Sequence, residues 1–139
     1  MLEPKSVKEV QEAVNIASTA MMIRGGGTKT ALSTPSGNET VIDLSNLSGI
    51  LEYRPEEFIF TALSGTPLEN ITEMLDENGQ WLPFDPPMAK IGATIGGTLA
   101  TGLSGPGRYR FGGARDFILG VKWVSGDGEI VSSGAQVVK

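Results

Sequence analysis

Gly-Ala-Thr-Ile-Gly-Gly-Thr-Leu-Ala-Thr-Gly, residues 92–102, is the most informative stretch of this chain, and it opens a glycine-rich segment that continues to residue 113. Eight of the 22 residues from 92 to 113 are glycine. That density does not suit a regular helix or strand, because each glycine costs about 1 kcal/mol in a helix interior. The segment therefore predicts backbone with unusual dihedral angles or backbone that another group approaches closely.

A second glycine cluster, Arg24-Gly25-Gly26-Gly27-Thr28-Lys29-Thr30, follows a short apolar run earlier in the chain. Successive glycines can turn their N–H groups inward and form an anion-binding concavity, with hydroxyl donors and one basic side chain beside it. A flexible turn between two strands is the alternative. The spacing of neither a Walker A loop nor a Rossmann fingerprint is present. Two such loops favour an elongated, phosphate-bearing ligand that is held in two places.

Thr94 is predicted to cap a short helix that ends near residue 103. The N–H groups and the dipole of such a helix favour a phosphate at its start. Gly96 and Gly97 would let a ligand lie against bare backbone. The alternative is close packing of the helix through its small residues.

Composition narrows the classes of function. The net charge is −5 and no basic run is present, so nucleic-acid binding by a charged face is not expected. The chain has no Cys and no His, which removes disulfides, thiol and histidine catalysis and the commonest metal ligands. No apolar run approaches the roughly 20 residues of a membrane span. The sequence therefore predicts a soluble, cytoplasmic protein without a metal site.

The first third of the chain predicts a small parallel α/β unit. Ser6 and Glu9 form a capping-box pattern at the start of a helix over residues 7–18. Strands are predicted at 20–23 and 40–44, with the first glycine cluster between them.

The rest of the chain predicts hairpins and helices. Strands are expected at 50–53 and 58–62, followed by a helix that Thr66 caps, with Pro67 at its first position and Glu69 completing a second capping box. An antiparallel hairpin is expected around the turn Ser125-Gly126-Asp127-Gly128. Residues 104–114 are predicted to form a loop, and Trp81 and Trp123 are predicted to lie in the core.

These elements predict an α+β fold of two lobes. Residues 1–47 would form the parallel α/β lobe, and residues 48–139 a mainly antiparallel lobe with helices. A sheet that stops after the last hairpin would leave an open edge. We therefore expect a fragment, or a subunit that another polypeptide completes.

Several blocks together resemble a known family, the FAD-binding domain of the vanillyl-alcohol oxidase / p-cresol methylhydroxylase flavoproteins. The resemblance covers nearly the whole chain. The blocks that carry it are Arg24-Gly25-Gly26-Gly27-Thr28, Gly65-Thr66-Pro67-Leu68, Leu82-Pro83-Phe84-Asp85-Pro86-Pro87, Ala93-Thr94-Ile95-Gly96-Gly97-Thr98-Leu99-Ala100-Thr101-Gly102 and Arg115-Asp116-Phe117-Ile118-Leu119-Gly120. Within the family, Leu103-Ser104-Gly105-Pro106 and the last block look most like the E subunit of bacterial glycolate oxidase.

The resemblance implies that FAD lies extended between the two lobes. The residues implied to hold its pyrophosphate are Arg24, Gly25, Gly26, Gly27, Thr28 and Lys29. The residues implied to line it through the backbone are Gly92, Ala93, Thr94, Gly96 and Gly97. The residues implied to lie nearer the flavin ring or ribityl chain are Thr98, Thr101, Gly102 and Gly105. Ile130 and Val131 are implied to approach the cofactor from the last strand.

Family members continue beyond the region of residues 137–139 into a further flavin-contacting segment and a substrate-binding cap, so the C-terminal part is expected to be absent here. Without His or Cys, the FAD is expected to be bound non-covalently. No catalytic residue is assigned, because the expected substrate elements lie outside the sequence.

The resemblance implies the FAD-binding portion of a glycolate-oxidase-like oxidoreductase that acts on a small 2-hydroxy acid and works with partner subunits. One alternative is a non-catalytic FAD-binding or assembly subunit of a larger complex. Another is a different flavin enzyme on the same scaffold, of the lactate dehydrogenase or enolpyruvyl-sugar reductase type. A nucleotide-binding module without flavin is a further alternative.

Overall fold

The architecture is mixed helix and strand, as a computed structural model of residues 1–135 gives it. The strands of this region form three two-stranded sheets, of which β1–β2 is parallel and both β3–β4 and β5–β6 are antiparallel hairpins. In chain order the elements are α1 (Val7–Ile16), β1 (Met21–Arg24), β2 (Thr40–Asp43), β3 (Ile50–Arg54), β4 (Ile59–Ala62), α2 (Leu68–Asp76), α3 (Ile95–Thr101), α4 (Arg108–Phe111), β5 (Gly120–Val124) and β6 (Ile130–Gly134). The predicted α+β class is confirmed. The predicted end of the chain at 137–139 lies outside the described residues.

Helix α1 begins where the sequence predicts it. The Ser6 hydroxyl accepts a hydrogen bond from the N–H of Glu9 (3.2 Å) and so satisfies one of the donors that a helix start leaves free. The Glu9 carboxylate accepts from the N–H of Lys5 (2.8 Å), so the second half of the capping box reaches one residue further back than predicted. The helix ends at Ile16, two residues before the predicted end.

The parallel pair β1–β2 carries the first glycine cluster at its carboxyl end. The register places Arg24 beside Asp43 at the ends of the two strands. On the other side of β2, the N–H of Leu2 donates to the carbonyl oxygen of Val41 (2.8 Å), so Leu2 forms an isolated parallel bridge with this strand. Ile42 of β2 is fully buried against α1.

The last hairpin returns to the first unit. Gln11 of α1 donates through Nε2 to the carbonyl oxygen of Gly128 (2.7 Å) in the β5–β6 turn. Val124 of β5 packs on the core that α1 and β2 share. The hairpin is therefore attached to α1, although a long segment separates them in sequence.

A second core lies under the β3–β4 hairpin. Its buried side chains come from α2 and from the start of α3, and they are Leu68, Ile71, Leu75, Ala93 and Ile95. Tyr53, Phe60 and Ala62 of the hairpin pack against them. This core fixes the segment before α3 against α2.

The start of α2 differs from the prediction. Pro67 occupies the N-cap and not the first helical position, and no side chain caps the helix. The hydroxyl of Thr66 donates to the carbonyl oxygen of Leu63 (2.7 Å) and accepts from the N–H of Gly49 (2.9 Å). The predicted second capping box is therefore wrong, because the buried Thr66 hydroxyl ties the ends of the β3–β4 hairpin together instead.

Neither tryptophan lies in the core, contrary to the prediction. Trp81 is 54% exposed and Trp123 is 43% exposed. Trp81 follows the end of α2 and meets Phe111 edge-on at the surface, with ring centroids 5.1 Å apart. Trp123 precedes Val124 on β5, and because successive strand residues face opposite sides, burying Val124 against α1 turns Trp123 outward.

The helices are short. In residues 1–135, no helix is long and apolar enough to cross a membrane. Two short turns, α4 and the 3-10 turn Ala114–Phe117, begin within the segment that the sequence predicts as loop. Its glycines limit each to about one turn.

Replacing Thr66 by Val is expected to lower the free energy of unfolding by about 1–3 kcal/mol, because the N–H of Gly49 loses its acceptor in a buried position. Urea unfolding followed by circular dichroism measures the change. Thr72→Val is the matched control, since the hydroxyl of Thr72 bonds only back to the Leu68 carbonyl within α2 (2.9 Å). Equal losses in the two variants would contradict the role given to Thr66.

Candidate functional site

The two glycine clusters lie directly against each other. A Cβ at Gly26 would overlap the carbonyl oxygen of Gly92, and a Cβ at Gly25 would collide with the hydroxyl of Thr94. The backbones can approach this closely only because both positions lack a side chain. The structure thus brings together two loops that are about 65 residues apart in sequence, and we call them the paired loops: residues 25–29 and 92–97.

The loop 92–97 is fixed from behind by the segment that leads into α2. The Ala93 carbonyl oxygen accepts from the N–H of Leu68 (2.8 Å). A Cβ at Gly96 would lie 2.6 Å from the Cβ of Ser64, so glycine is needed there for packing. Gly92 itself has a φ of +91°, a conformation that glycine adopts without strain.

Four N–H groups at the start of α3, those of residues 95–98, already have partners in the described part of the chain. The N–H of Ile95 donates to Thr66 O (2.9 Å), and that of Gly96 to Ser64 O (2.8 Å). The next two, those of Gly97 and Thr98, donate to the hydroxyl and the carbonyl of the N-cap Thr94 (3.3 and 3.0 Å). The prediction that this helix start holds a phosphate stays a prediction, and in this structure neighbouring backbone and the cap occupy the N–H groups of residues 95–98.

The loop of residues 25–29 differs, because its backbone N–H groups are unpaired in the part of the chain that the structure describes. Within residues 1–135, the backbone N–H groups of residues 25–29 donate no hydrogen bond. Gly26 is exposed, and the other four residues are partly exposed. Successive unpaired N–H groups that solvent reaches form the kind of concavity that binds an anion. The anion-binding capacity of the paired loops therefore lies in residues 25–29.

Arg24 does not supply free charge to this loop. Its Nε lies 3.6 Å from Oδ2 of Asp43, and its guanidinium group lies against Gly27. Burial raises the pKa of Asp43. The hydrogen bonds from Ser45 and the charge of Arg24 together lower this pKa by more, so it lies below its ordinary value. The ionised carboxylate of Asp43 therefore pairs with Arg24, whose half-exposed side chain stays beside the loop.

Lys29 is the uncompensated cation of the loop. Its Nζ lies 3.5 Å from the hydroxyl of Thr28, and within residues 1–135 no carboxylate oxygen lies within 4 Å of it. Partial burial lowers the pKa of the Lys29 ammonium group below its ordinary value. An anion bound at the loop would offset the lost hydration of this charge.

The remaining predicted site residues lie in or beyond α3. Thr98 is fully buried, and within residues 1–135 its hydroxyl has no hydrogen-bond partner. Thr101 donates through its hydroxyl to Gly97 O (3.0 Å), and Gly102 ends the helix with a φ of +62°. Gly105 packs on the backbone and carboxylate of Asp85.

Ile130 and Val131 begin β6, and Ile130 is exposed. No hydrogen bond within residues 1–135 joins either residue to the paired loops. Their predicted approach to the cofactor stays a prediction.

Sequence reasoning missed Asp43 and Ser64. The sequence contains a signal for Asp43. This acidic residue and the basic Arg24 lie at the carboxyl ends of two strands that are predicted to be parallel, so their side chains could be expected to pair. Ser64 acts through its backbone carbonyl, which leaves no trace in residue type. The same holds for the Thr66 carbonyl that binds the N–H of Ile95.

A cleft of about 440 Å³ adjoins the second of the paired loops, which contributes Ile95 to its lining, and it lies between the β3–β4 and β5–β6 hairpins. Apolar side chains such as Phe60, Leu99 and Phe117 line it, and it includes no residue of 25–29. Within residues 1–135, unpaired donors and an uncompensated cation distinguish residues 25–29 from this cleft. We therefore take the paired loops as the candidate site for an anionic ligand.

Comparisons with known proteins show the family of this chain. A family model described as "FAD binding domain" matches residues 1–134. The chain is 38% identical over 133 residues to glycolate oxidase subunit GlcE of Escherichia coli (strain K12), a match that covers 96% of this chain and 37% of that protein. It is 32% identical over 140 residues to D-2-hydroxyglutarate dehydrogenase of Xanthomonas citri pv. viticola, covering 98% of this chain and 29% of that protein.

Among solved structures, the fold is similar to that of alkyldihydroxyacetonephosphate synthase, with a TM-score of 0.76 and 22% identity. That match covers 99% of this chain and 26% of the other. At this level of identity the likeness shows the fold alone. The chain spans about a third of the length of the curated relatives described here.

Replacing Gly26 by Ala is expected to lower the free energy of unfolding by about 1–3 kcal/mol, because the new methyl group would overlap the Gly92 carbonyl and force the loops apart. Thermal unfolding followed by circular dichroism measures it. Gly126→Ala is the control, since no atom lies within 4 Å of its Cβ position. Unchanged stability of the Gly26 variant would show that the loops do not touch.

Proposed function

We propose, because this chain belongs to the FAD binding domain family, that it holds and orients FAD within a flavin-dependent oxidoreductase that acts on a small 2-hydroxy acid. The observation that carries the proposal is the row of unpaired N–H groups at residues 25–29. A diphosphate needs several donors and positive charge in one place, and this loop offers both.

The residues present fit the diphosphate of FAD. The N–H groups of residues 25–29 would donate to its oxygens, with the hydroxyl of Thr28 and the ammonium group of Lys29 beside them. The loop 92–97 would line the cofactor with backbone and keep the first loop in place, since its own N–H groups at the start of α3 are occupied. The cofactor, when bound, supplies hydride acceptance from the substrate, and the protein supplies binding and orientation.

Further parts of this proposal come from the family resemblance. Thr98, Thr101, Gly102 and Gly105 would lie toward the flavin, as would Ile130 and Val131, and residues 1–47 and 48–139 would be the two lobes around the cofactor. Binding would be non-covalent, because the chain has neither His nor Cys. A cytoplasmic location belongs to the same proposal.

Substrate class and assembly follow from the names of the relatives. One is a subunit of a glycolate oxidase, and another is a dehydrogenase of D-2-hydroxyglutarate. Both names describe oxidation of a 2-hydroxy acid, and the first describes a protein of several subunits. We extend these properties to the longer system in which this chain would work.

A non-catalytic FAD-binding subunit is the second candidate. One observation favours it: Arg24, Lys29 and Asp43 are the titratable groups at the paired loops, and Arg24 and Asp43 pair with each other. Turnover of a 2-hydroxy acid by the assembled complex, lost when only this subunit cannot bind FAD, would separate the two functions.

The direct test is the visible absorption spectrum of the purified protein before and after addition of FAD and desalting. We expect flavin absorbance to remain with the protein and to be released on denaturation. Protein that retains no flavin, and that shows no change in FAD fluorescence during an equilibrium titration, would contradict the proposal.

Lys29→Gln is expected to weaken FAD binding at pH 7 by about 10- to 100-fold, the range that loss of a hydrogen bond to a charged group implies. Lys8→Gln is the matched control, because the exposed Lys8 pairs with Glu12 on α1 (3.9 Å). Fluorescence titration measures both dissociation constants.

The same titration has a pH dependence of known sign. FAD affinity of the unaltered protein is expected to fall as the pH rises through the pKa of Lys29, which burial has lowered, because the loop then loses its positive charge. The Lys29→Gln variant should lack this component. If FAD affinity depended on pH in the same way in both proteins, Lys29 would have no role in binding FAD.

A further inference from the structure

Lys29 differs in its surroundings from the other lysines that the structure describes. Lys29 is partly buried, and its Nζ lies 3.5 Å from the hydroxyl of Thr28. The other lysines within residues 1–135 are exposed, and they are Lys5, Lys8, Lys90 and Lys122. Lys29 is therefore the described lysine whose amine is partly withdrawn from solvent.

This partial burial favours reaction of the Lys29 amine as a nucleophile. Only a neutral amine attacks a carbonyl carbon, and the lost hydration that lowers the pKa of Lys29 raises its neutral fraction at a given pH. Within residues 1–135, no carboxylate oxygen lies within 4 Å of Nζ to stabilise the charged form. The Lys29 side chain is consequently better suited to covalent modification than a fully hydrated lysine.

The loop that carries Lys29 also offers a place for a reagent. Within residues 1–135, the backbone N–H groups of residues 25–29 donate no hydrogen bond, and such successive free donors favour a phosphate. Lys29 is the last residue of this loop, so a phosphate bound there lies beside it. The flexible four-carbon stem of lysine lets Nζ approach a carbonyl group that is attached to this phosphate.

We propose that Lys29 is an acylation site, and that small acyl phosphates bound through their phosphate at residues 25–29 are its acyl donors. The neutral amine attacks the carbonyl carbon and forms a new N–C bond. The bond from that carbon to the phosphate oxygen breaks, inorganic phosphate leaves with the electron pair, and the nitrogen releases one proton to water. The product is an uncharged amide, and the step needs neither an oxidant nor a reductant.

Acylation would regulate the loop to which the proposed function assigns FAD binding, and it rests on the anion-binding role given there. The modification removes the positive charge of Lys29 and adds bulk beside the N–H groups. FAD and an acyl phosphate would compete for the same donors. Bound FAD would therefore protect Lys29, and acylation of the FAD-free protein would hinder later FAD binding.

The test compares two acetyl donors on the full chain, acetyl phosphate and acetic anhydride, of which the second carries no phosphate. Mass spectrometry of peptides follows the acetylation rates of Lys29, Lys8 and Lys122. We expect the preference for Lys29 over the two exposed lysines to be about tenfold or more greater with acetyl phosphate, because the loop positions that donor alone. Equal preference with both donors would overturn the proposal.

Competition by inorganic pyrophosphate gives the second measurement. Added to the acetyl phosphate reaction, pyrophosphate should slow acetylation of Lys29 and leave the rates at Lys8 and Lys122 unchanged. Sodium chloride at matched ionic strength is the control for screening of charge. Acetylation of Lys29 that pyrophosphate slows no more than sodium chloride does would overturn the proposal.

FAD titration tests the regulatory consequence. Complete acetylation of Lys29 is expected to weaken FAD binding by about 10- to 100-fold, as loss of the same charge in Lys29→Gln does. Treated and untreated Lys29→Arg should bind FAD with equal affinity, since arginine is not acetylated by this reagent. Unchanged FAD affinity of the acetylated protein, or an equal loss in treated Lys29→Arg, would overturn the regulatory role.

The two donors also separate this inference from the proposed function. Failure of the untreated chain to bind FAD would defeat the proposed function, while the acetylation rates would still decide whether Lys29 is an acylation site. FAD binding without selective acetylation of Lys29 would defeat the acylation site alone.

Discussion

The contact of bare backbone between Gly25–Gly26 and Gly92–Thr94 is the constraint on which the rest of this site depends. The Gly92 carbonyl fills the space that a side chain at Gly26 would need. The carboxyl end of β1 and the approach to α3 consequently meet without intervening side chains. Hydrogen bonds from the α2 segment hold one side of this contact, and the parallel register of β1 with β2 holds the other.

We propose different roles for the two loops, support for residues 92–97 and anion binding for residues 25–29. The N–H groups of residues 95–98 donate to Ser64, Thr66 and the Thr94 cap, and the role we propose for this loop is to support and line the site. The loop after β1 keeps its N–H groups unpaired and keeps one uncompensated cation, Lys29. Asp43 completes the arrangement, because its carboxylate pairs with the half-exposed Arg24 and leaves Lys29, among the described residues, as the cation of the loop without a carboxylate partner.

Much of this fold could be predicted from local sequence. Ser6 caps α1, the parallel β1–β2 unit follows from its strand pattern, and the two glycine clusters meet as the paired loops. The errors arise where tertiary contacts override a local pattern. Thr66 fits a capping pattern, but its buried hydroxyl finds partners across the β3–β4 hairpin.

The tryptophans show the same limit. Trp81 and Trp123 are large and apolar, yet Val124 takes the core-facing position on β5 and the end of α2 leaves Trp81 at the surface. The use of N–H groups at the start of α3 could not be predicted either, because the acceptors are backbone carbonyls distant in sequence. Residue type carries no record of such partners.

The most direct measurement of the central claim is a titration of the ¹⁵N-labelled protein with FAD, followed by amide chemical shifts. We expect the largest changes, in the direction of new hydrogen bonds to an anion, at the N–H groups of residues 25–29. Those of Ile95, Gly96, Gly97 and Thr98 should change little, because they are already bonded. Dominant changes at the start of α3, or none at residues 25–29, would contradict it.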